Sequence, residues 1–221
     1  MKNILMFLLV LFTANVFGQE ELEEVKIKTT QKGLKKSLKG TANTTLVTSK
    51  ELLKAACCNL AESFETNPSI DVNFSDALTG TKQIKMLGLT SPYIMITEEN
   101  VPSVRGASQA FGLSFTPGTW VESIQITKGA GSVVNGYESI SGQINTELLK
   151  PMNDIPFFLN AYGSTDSRFE LNTHFNKKVT DKWATSLFLH GNARVAKNDM
   201  NDDGFLDNPI GKQINAINRW Q

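Results

Sequence analysis

The sequence predicts an α+β domain over residues 44–151, followed by antiparallel β-strands over 152–221. Two observations carry this reading. Short apolar runs with strand alternation, one helical stretch and clustered glycines fill the first segment. Period-2 runs of about ten residues, joined by polar turns, fill the second. That second pattern is the signature of transmembrane β-barrel strands, and a soluble antiparallel sheet shares it.

The elements follow in order. Met1 to Gly18 reads as a secretory signal peptide, with Lys2 as the positive start and Ile4 to Phe12 as the apolar stretch. Val16 and Gly18 fit the small-residue cleavage pattern, so Gln19 would open the mature chain. Residues 19–43 form a polar extension that begins acidic (Glu20, Glu21, Glu23, Glu24) and turns basic (Lys26, Lys28, Lys32, Lys35, Lys36, Lys39). It holds too little apolar surface to offset its ordering entropy, which suits a solvated tail. Within it Leu22, Val25 and Ile27 form a β-prone island, the kind of segment that can add to a partner's sheet edge.

Thr44 to Thr48 reads as a strand. Ser49 then opens a helix, with Glu51 favouring the dipole in its first turn. Leu52, Leu53, Ala56 and Leu60 keep helical spacing through to Phe64, and Thr66-Asn67-Pro68-Ser69 stops it. Ile70, Val72 and Phe74 alternate as a strand does. Lys82 to Leu87 and Tyr93 to Thr97 are further strands, separated by a turn from Gly88 to Pro92. Val121, Ile124 and Ile126 mark a strand from Trp120 to Thr127, and Gln143 to Thr146 is the last before Pro151. After Pro156, Phe157 to Tyr162 is a short alternating run. Phe169, Leu171, Thr173 and Phe175 alternate with Glu170, Asn172, His174 and Asn176. Trp183, Thr185, Leu187 and Leu189 alternate with Ala184, Ser186, Phe188 and His190. Trp183 and Trp220, near strand ends, suit an aromatic girdle.

Composition excludes several function classes. The 221 residues carry 22 basic and 22 acidic side chains, a net charge of zero, which argues against a nucleic-acid partner. A content of 40% hydrophobic and 20% charged residues excludes wholesale disorder. The 2 cysteines, Cys57 and Cys58, are adjacent and build no disulfide framework. They could ligate a soft metal as thiolates, and the plainer reading is a pair on a helix. His174 and His190 read as polar residues of alternating strands. Gly129-Ala130-Gly131 lacks the third glycine of a dinucleotide loop, since Val134 stands there, and neither a phosphate-loop nor a GxSxG motif occurs. No catalytic constellation supports an enzyme, and no cofactor is required. One metal motif stands out: Asp199, Asn201, Asp203 and Asp207 around Gly204 space oxygen ligands as a calcium loop does, without the closing glutamate. A polar turn is the alternative.

The order of these pieces resembles the TonB-dependent outer-membrane receptors. Glu23-Glu24-Val25-Lys26-Ile27 looks like a TonB box. Residues 60–70, with Asn67-Pro68-Ser69-Ile70, resemble the plug's helix and following turn. Val121 to Gly129 is similar to the plug strand that ends in Lys-Gly, and Asn135 to Asn145 to its closing Tyr-Gly and Gly-x-Ile-Asn segment. Two places depart from the family. Met86-Leu87-Gly88 stands where Arg-Gly is usual, and Ile94 to Glu99 where a Val-Ile-Asp-Gly type of segment is usual. The resemblance implies an α+β plug domain followed by the first antiparallel strands of a transmembrane β-barrel. It implies an outer-membrane location, with the plug on the periplasmic side within the barrel, lipid around the strands, and capture of a scarce, large extracellular ligand. A metal chelate such as a ferric siderophore is the usual cargo. TonB and its inner-membrane energy complex would grip Leu22, Glu23, Glu24, Val25, Lys26 and Ile27. Plug loops bearing Leu89, Thr90, Ser91, Pro92, Tyr93, Arg105, Ser108 and Gln109 would face ligand. If the first strand runs outward, the Asp199–Asp207 loop is extracellular, where calcium is available. The residues after Pro156 suffice for about four strands, against about 22 in plugged transporter barrels, so the chain reads as a truncated N-terminal piece. The competing reading is a soluble exported binding module with an ordinary C-terminal sheet.

Overall fold

The computed structural model describes residues 35–36, 43–54, 59–65, 67–75, 79–90, 92–131 and 136–221. The signal segment, the Leu22–Ile27 box, Cys57-Cys58 and Ser91 lie outside the described residues. Everything described falls in one compact unit, Lys32–Gln221. No described helix is long and apolar enough to cross a membrane.

The N-terminal domain is built on a six-stranded sheet. Its strands are β1 (Lys35–Lys36), β2 (Asn43–Thr48), β6 (Ile94–Glu98), β7 (Val101–Pro102), β8 (Val121–Lys128) and β9 (Gly142–Leu148), in the order β1-β2-β8-β9-β6-β7. All neighbours pair antiparallel except β6 and β9, which run parallel with Ile94 beside Gly142. A second sheet joins β3 (Asp71–Phe74), β4 (Lys82–Met86) and β5 (Leu89–Thr90).

The apolar spacing of β8 shows why a strand need not keep strict alternation. Val121, Ile124 and Ile126 are all buried, although the first two differ in parity. A bulge between Val121 and Ser123 adds the residue that turns both sets to the core. In β6 and β9 nearly every side chain is buried, as expected where a strand is covered on both faces.

Two expectations need correction. The helix, α1, spans Ser49–Lys54, and Glu62–Phe64 is a separate 3₁₀ turn. Leu52, Leu60 and Phe64 are buried as their spacing suggested, but spacing specifies burial and not hydrogen bonding. The segment read as a turn from Gly88 holds a strand, β5. Leu87 and Gly88, at φ 51° and 78°, make a two-residue reversal that pairs Met86 with Leu89.

The C-terminal residues form a separate four-stranded antiparallel sheet: β10 (Phe157–Gly163), β11 (Arg168–Lys178), β12 (Ala184–Arg194) and β13 (Gly211–Trp220). One face buries Glu170, Asn172, His174, Ser186 and His190. The other exposes Phe157, Leu159, Phe169, Leu171, Phe175, Leu187 and Ile214. A soluble sheet does the reverse, so the pattern is that of barrel strands with lipid outside. Trp183 and Trp220 stand exposed at one end of this sheet, the second paired with Thr185. That common level suits an interfacial belt.

The inner face of this sheet closes on the N-terminal domain. Phe188 and Ile217 join the core formed by Leu60, Phe64, Ile84, Ile94, Leu113, Trp120 and Ile144. Gln213 donates to the Ser114 carbonyl at 2.9 Å and Asn215 to that of Phe115 at 2.7 Å. Arg219 pairs with Glu99.

Candidate functional site

Between the domain and the sheet lies a cavity of about 350 Å³. The domain contributes Glu62 from the 3₁₀ turn, Phe74 and Lys82 from the β3–β4 hairpin, and Phe111 and Ser114 from the loop after β7. The sheet contributes Arg168, Arg194 and Lys212 from the ends of β11, β12 and β13. Gly80 sets how closely the two parts approach. A methyl there would stand 2.5 Å from Pro209 Cγ, and its φ of +66° already disfavours a side chain. The loop before β13 therefore rests on the domain's hairpin.

Local geometry explains several of the polar side chains at the site. Asn59 Oδ1 accepts from Glu62 N at 3.0 Å, fixing the 3₁₀ turn, and Asn67 Oδ1 accepts from Ser69 N at 2.9 Å, closing the turn that follows. Arg168 and Glu170 share one face of β11, so the Arg168 Nε donates to Glu170 at 2.7 Å. Its two terminal nitrogens reach Glu62 at 3.3 and 3.2 Å. Lys82 lies 3.6 Å from Glu62 and also pairs with Glu65. Arg194 pairs with Asp166 at 2.9 Å. The Ser164 hydroxyl, and then the Arg194 and Arg168 charges, hold the Asp166 carboxyl below its usual range against a desolvation cost. Deeper in, His190 Nδ1 lies 2.6 Å from Asn172 Oδ1, and the Asn192 amide donates to His190 Nε2 at 3.1 Å. The partners assign an imidazole that donates from Nδ1 and accepts at Nε2.

The described residues among those expected to face ligand do not line this cavity. Leu89 and Thr90 pair in β5, and the Tyr93 carbonyl accepts from Ile140 N and Ser141 N at 3.0 and 3.1 Å. Arg105 is held by Glu138 through Nε (3.0 and 2.9 Å) and Nη2 (2.7 Å), which raises its pKa. Ser108 Oγ accepts from Arg105 N at 2.9 Å. None of Leu89, Thr90, Pro92, Tyr93, Arg105, Ser108 and Gln109 lines the cavity, whereas Phe111 and Ser114 of the same loop do. Glu62, Lys82, Arg168 and Arg194 carry no site motif in the sequence. The one available signal is that Arg168 falls in phase with the buried polar residues of β11.

The Asp199–Asp207 loop folds on itself. Asp199 accepts from Asp203 N at 3.2 Å and Gly204 N at 2.9 Å, Asp203 from Phe205 N at 2.8 Å, and Asp207 from Met200 N at 2.9 Å. Among the described residues no group of three or more His, Cys, Asp or Glu side chains converges as a metal site.

An α+β domain seated on the polar face of outward-apolar strands defines a plug against a barrel wall. Residues 36–143 match the model of the TonB-dependent receptor plug domain family. The fold is shared with P. aeruginosa FpvA bound to a pyoverdine–iron complex (TM-score 0.63, 15% identity, 74% of this chain and 22% of that one). It is shared as well with the ferric yersiniabactin uptake receptor FyuA from Yersinia pestis (TM-score 0.61, 18%, 81% and 28%). The siderophore receptor PiuA from Acinetobacter baumannii matches likewise (TM-score 0.57, 16%, 72% and 22%). The chain thus spans between 22% and 28% of the length of these receptors.

Proposed function

We propose that this chain is part of an outer-membrane receptor that takes up a scarce, large ligand with energy delivered through TonB. The cargo is a metal chelate of the ferric-siderophore kind. The single observation that carries the reading is the inverted sheet: four strands with polar residues toward the plug and large apolar residues outward. Water does not reward that arrangement and a bilayer does.

Strand direction supports an orientation. The turn between β11 and β12 is short, while the opposite end of the sheet carries the short turn over 164–167 and the long loop over residues 195–210. Short turns face the periplasm and long loops the exterior in such barrels. The cavity beside Arg194 and Lys212 therefore opens outward, with Trp183 and Trp220 at the periplasmic interface. In this reading Leu22 to Ile27 is the handle that TonB pairs with as an added strand.

Fractionation tests the location: the native protein is expected to need detergent for extraction. Recovery in the soluble periplasmic fraction would favour an exported binding module instead. Val25→Pro tests the handle. It removes a ladder N–H, so uptake should stop while ligand binding persists; unchanged uptake removes TonB from the account.

A further inference from the structure

Resting on the receptor reading above, we propose that Arg168 is an exchange point. It ties the wall to the plug through Glu62, and turns to an anionic oxygen of the ligand when the cavity is filled. The ligand is therefore an oxygen-rich polyanion, such as a polycarboxylate or its metal chelate.

The lining sets the ligand's charge. Among the described residues four cations face the cavity, Lys82, Arg168, Arg194 and Lys212, against one carboxylate, Glu62. The carboxylates of Glu65, Glu170 and Asp166, which pair with three of these cations, lie outside the lining. An anion in the cavity meets cations first.

The guanidinium is held unequally. Its Nε reaches Glu170 at 2.7 Å, the length of a strong charge-assisted bond, and the Glu170 side chain is only 2% exposed. Its terminal nitrogens reach Glu62 at 3.3 and 3.2 Å, longer than such bonds prefer. The Glu170 half is an anchor, and the Glu62 half can be traded. After the trade neither partner is stranded: Arg168 keeps Glu170, and Glu62 keeps Lys82 at 3.6 Å. Glu62 and Phe64 share one 3₁₀ turn, and Phe64 is buried in the plug core, so loosening Glu62 loosens the plug's hold on the wall.

Competition makes the signs of the effects specific. If Glu62 and the ligand contend for the same guanidinium, removing the Glu62 charge must favour the ligand. Citrate, alone and as its iron(III) complex, is the probe, titrated by calorimetry into the intact detergent-extracted protein. Arg168→Gln should weaken citrate about tenfold, the size of one lost charged hydrogen bond. Glu62→Gln should tighten it about fivefold. In the wild type, saturating citrate should speed amide exchange over residues 59–65, whereas in Glu62→Gln exchange should be fast already and unresponsive. The proposal is overturned if both variants weaken citrate, which a purely structural ion pair would give. It is equally overturned if saturating citrate leaves that exchange unchanged, or if the wild type does not bind citrate. The receptor reading stands on extraction behaviour and on Val25→Pro, so the two ideas fail separately.

Discussion

The ring of Trp120 in the plug stands 5.7 Å, centroid to centroid, from that of Phe188 in the wall, tilted by 48°. Phe188 and its cross-strand partner Ile217 form an apolar patch on an inner face where Ser186 and His190 flank Phe188. The wall turns apolar where the plug presents its largest buried side chain. Trp120→Ala should therefore cost about 3–5 kcal/mol of plug stability, the range for deleting a buried aromatic. Trp120 Nε1 has no hydrogen-bond partner, so Trp120→Phe should cost clearly less. Denaturant unfolding of the extracted protein measures both; equal losses would mean that the indole edge matters more than the contact.

Gly142 opens β9 because nothing larger fits. A methyl there would stand 2.6 Å from Met86 Sδ and 2.9 Å from the Thr127 carbonyl. Met86 can move and the Thr127 backbone cannot. Gly142→Ala should destabilise by about 1–3 kcal/mol. Measured against Met86→Ala alone, Gly142→Ala should cost less but still destabilise. A vanishing cost in that background, read from the same unfolding curves, would show that the backbone contact is harmless.

Asn145 secures the reversal between β6 and β7. Its Oδ1 accepts from Thr97 Oγ1 and from Asn100 N, both at 2.8 Å, with Glu99 and Asn100 at positive φ. Asn145→Ala leaves the Asn100 N–H and a buried hydroxyl without this partner. The expected loss is about 1–3 kcal/mol, with faster amide exchange confined to residues 97–102. Uniform exchange across the plug would point to a different role.

Glu98 gives the plug a pH dependence. Burial, then the neighbouring Glu99 charge, raises its pKa above 4.5, and Arg219 opposes the shift only in part. A carboxyl with a raised folded-state pKa binds more protons folded than unfolded, so stability falls as pH rises through the window above 4.5. Glu98→Gln should raise stability at neutral pH and flatten the slope in that window. Wild type and variant curves that stay parallel from acid to neutral would remove Glu98 as the cause.

Calcium at the Asp199–Asp207 loop would have to take carboxylate oxygens that now accept from Asp203, Gly204, Phe205 and Met200 amides. Calorimetric titration of Ca²⁺ is expected to show binding that Asp203→Ala abolishes. Equal heats in the two proteins would discard the ion and leave a self-capped turn.

Legibility in the sequence followed distance along the chain. The wall strands were readable because alternation between Phe169 and Asn176 is a local pattern, and its inversion of polarity appears as soon as the plug fixes which face is inner. The break between Val121 and Ile124 was readable as a strand but not as a bulge, since only pairing with β9 reveals the extra residue. The site was largely hidden. Arg168 meets Glu62 across 106 positions, and Arg105 meets Glu138 across 33. A charged side chain's partner is a property of the folded topology. The Glu138 partner of Arg105 and the gathering of cations at the cavity emerge only in the folded chain.

The parallel alignment of β6 with β9 also governs when the plug can form. Ile94, Met95 and Ile96 are fully covered in the native state, yet their neighbour Ile144 is made only after the intervening β8. β2 likewise waits for β8, with Thr44 meeting Thr127 across 83 positions. Such non-local pairing makes folding slow and leaves apolar strands bare in the meantime. Ile94 to Ile96 therefore wait for β9 to complete the sheet that covers them.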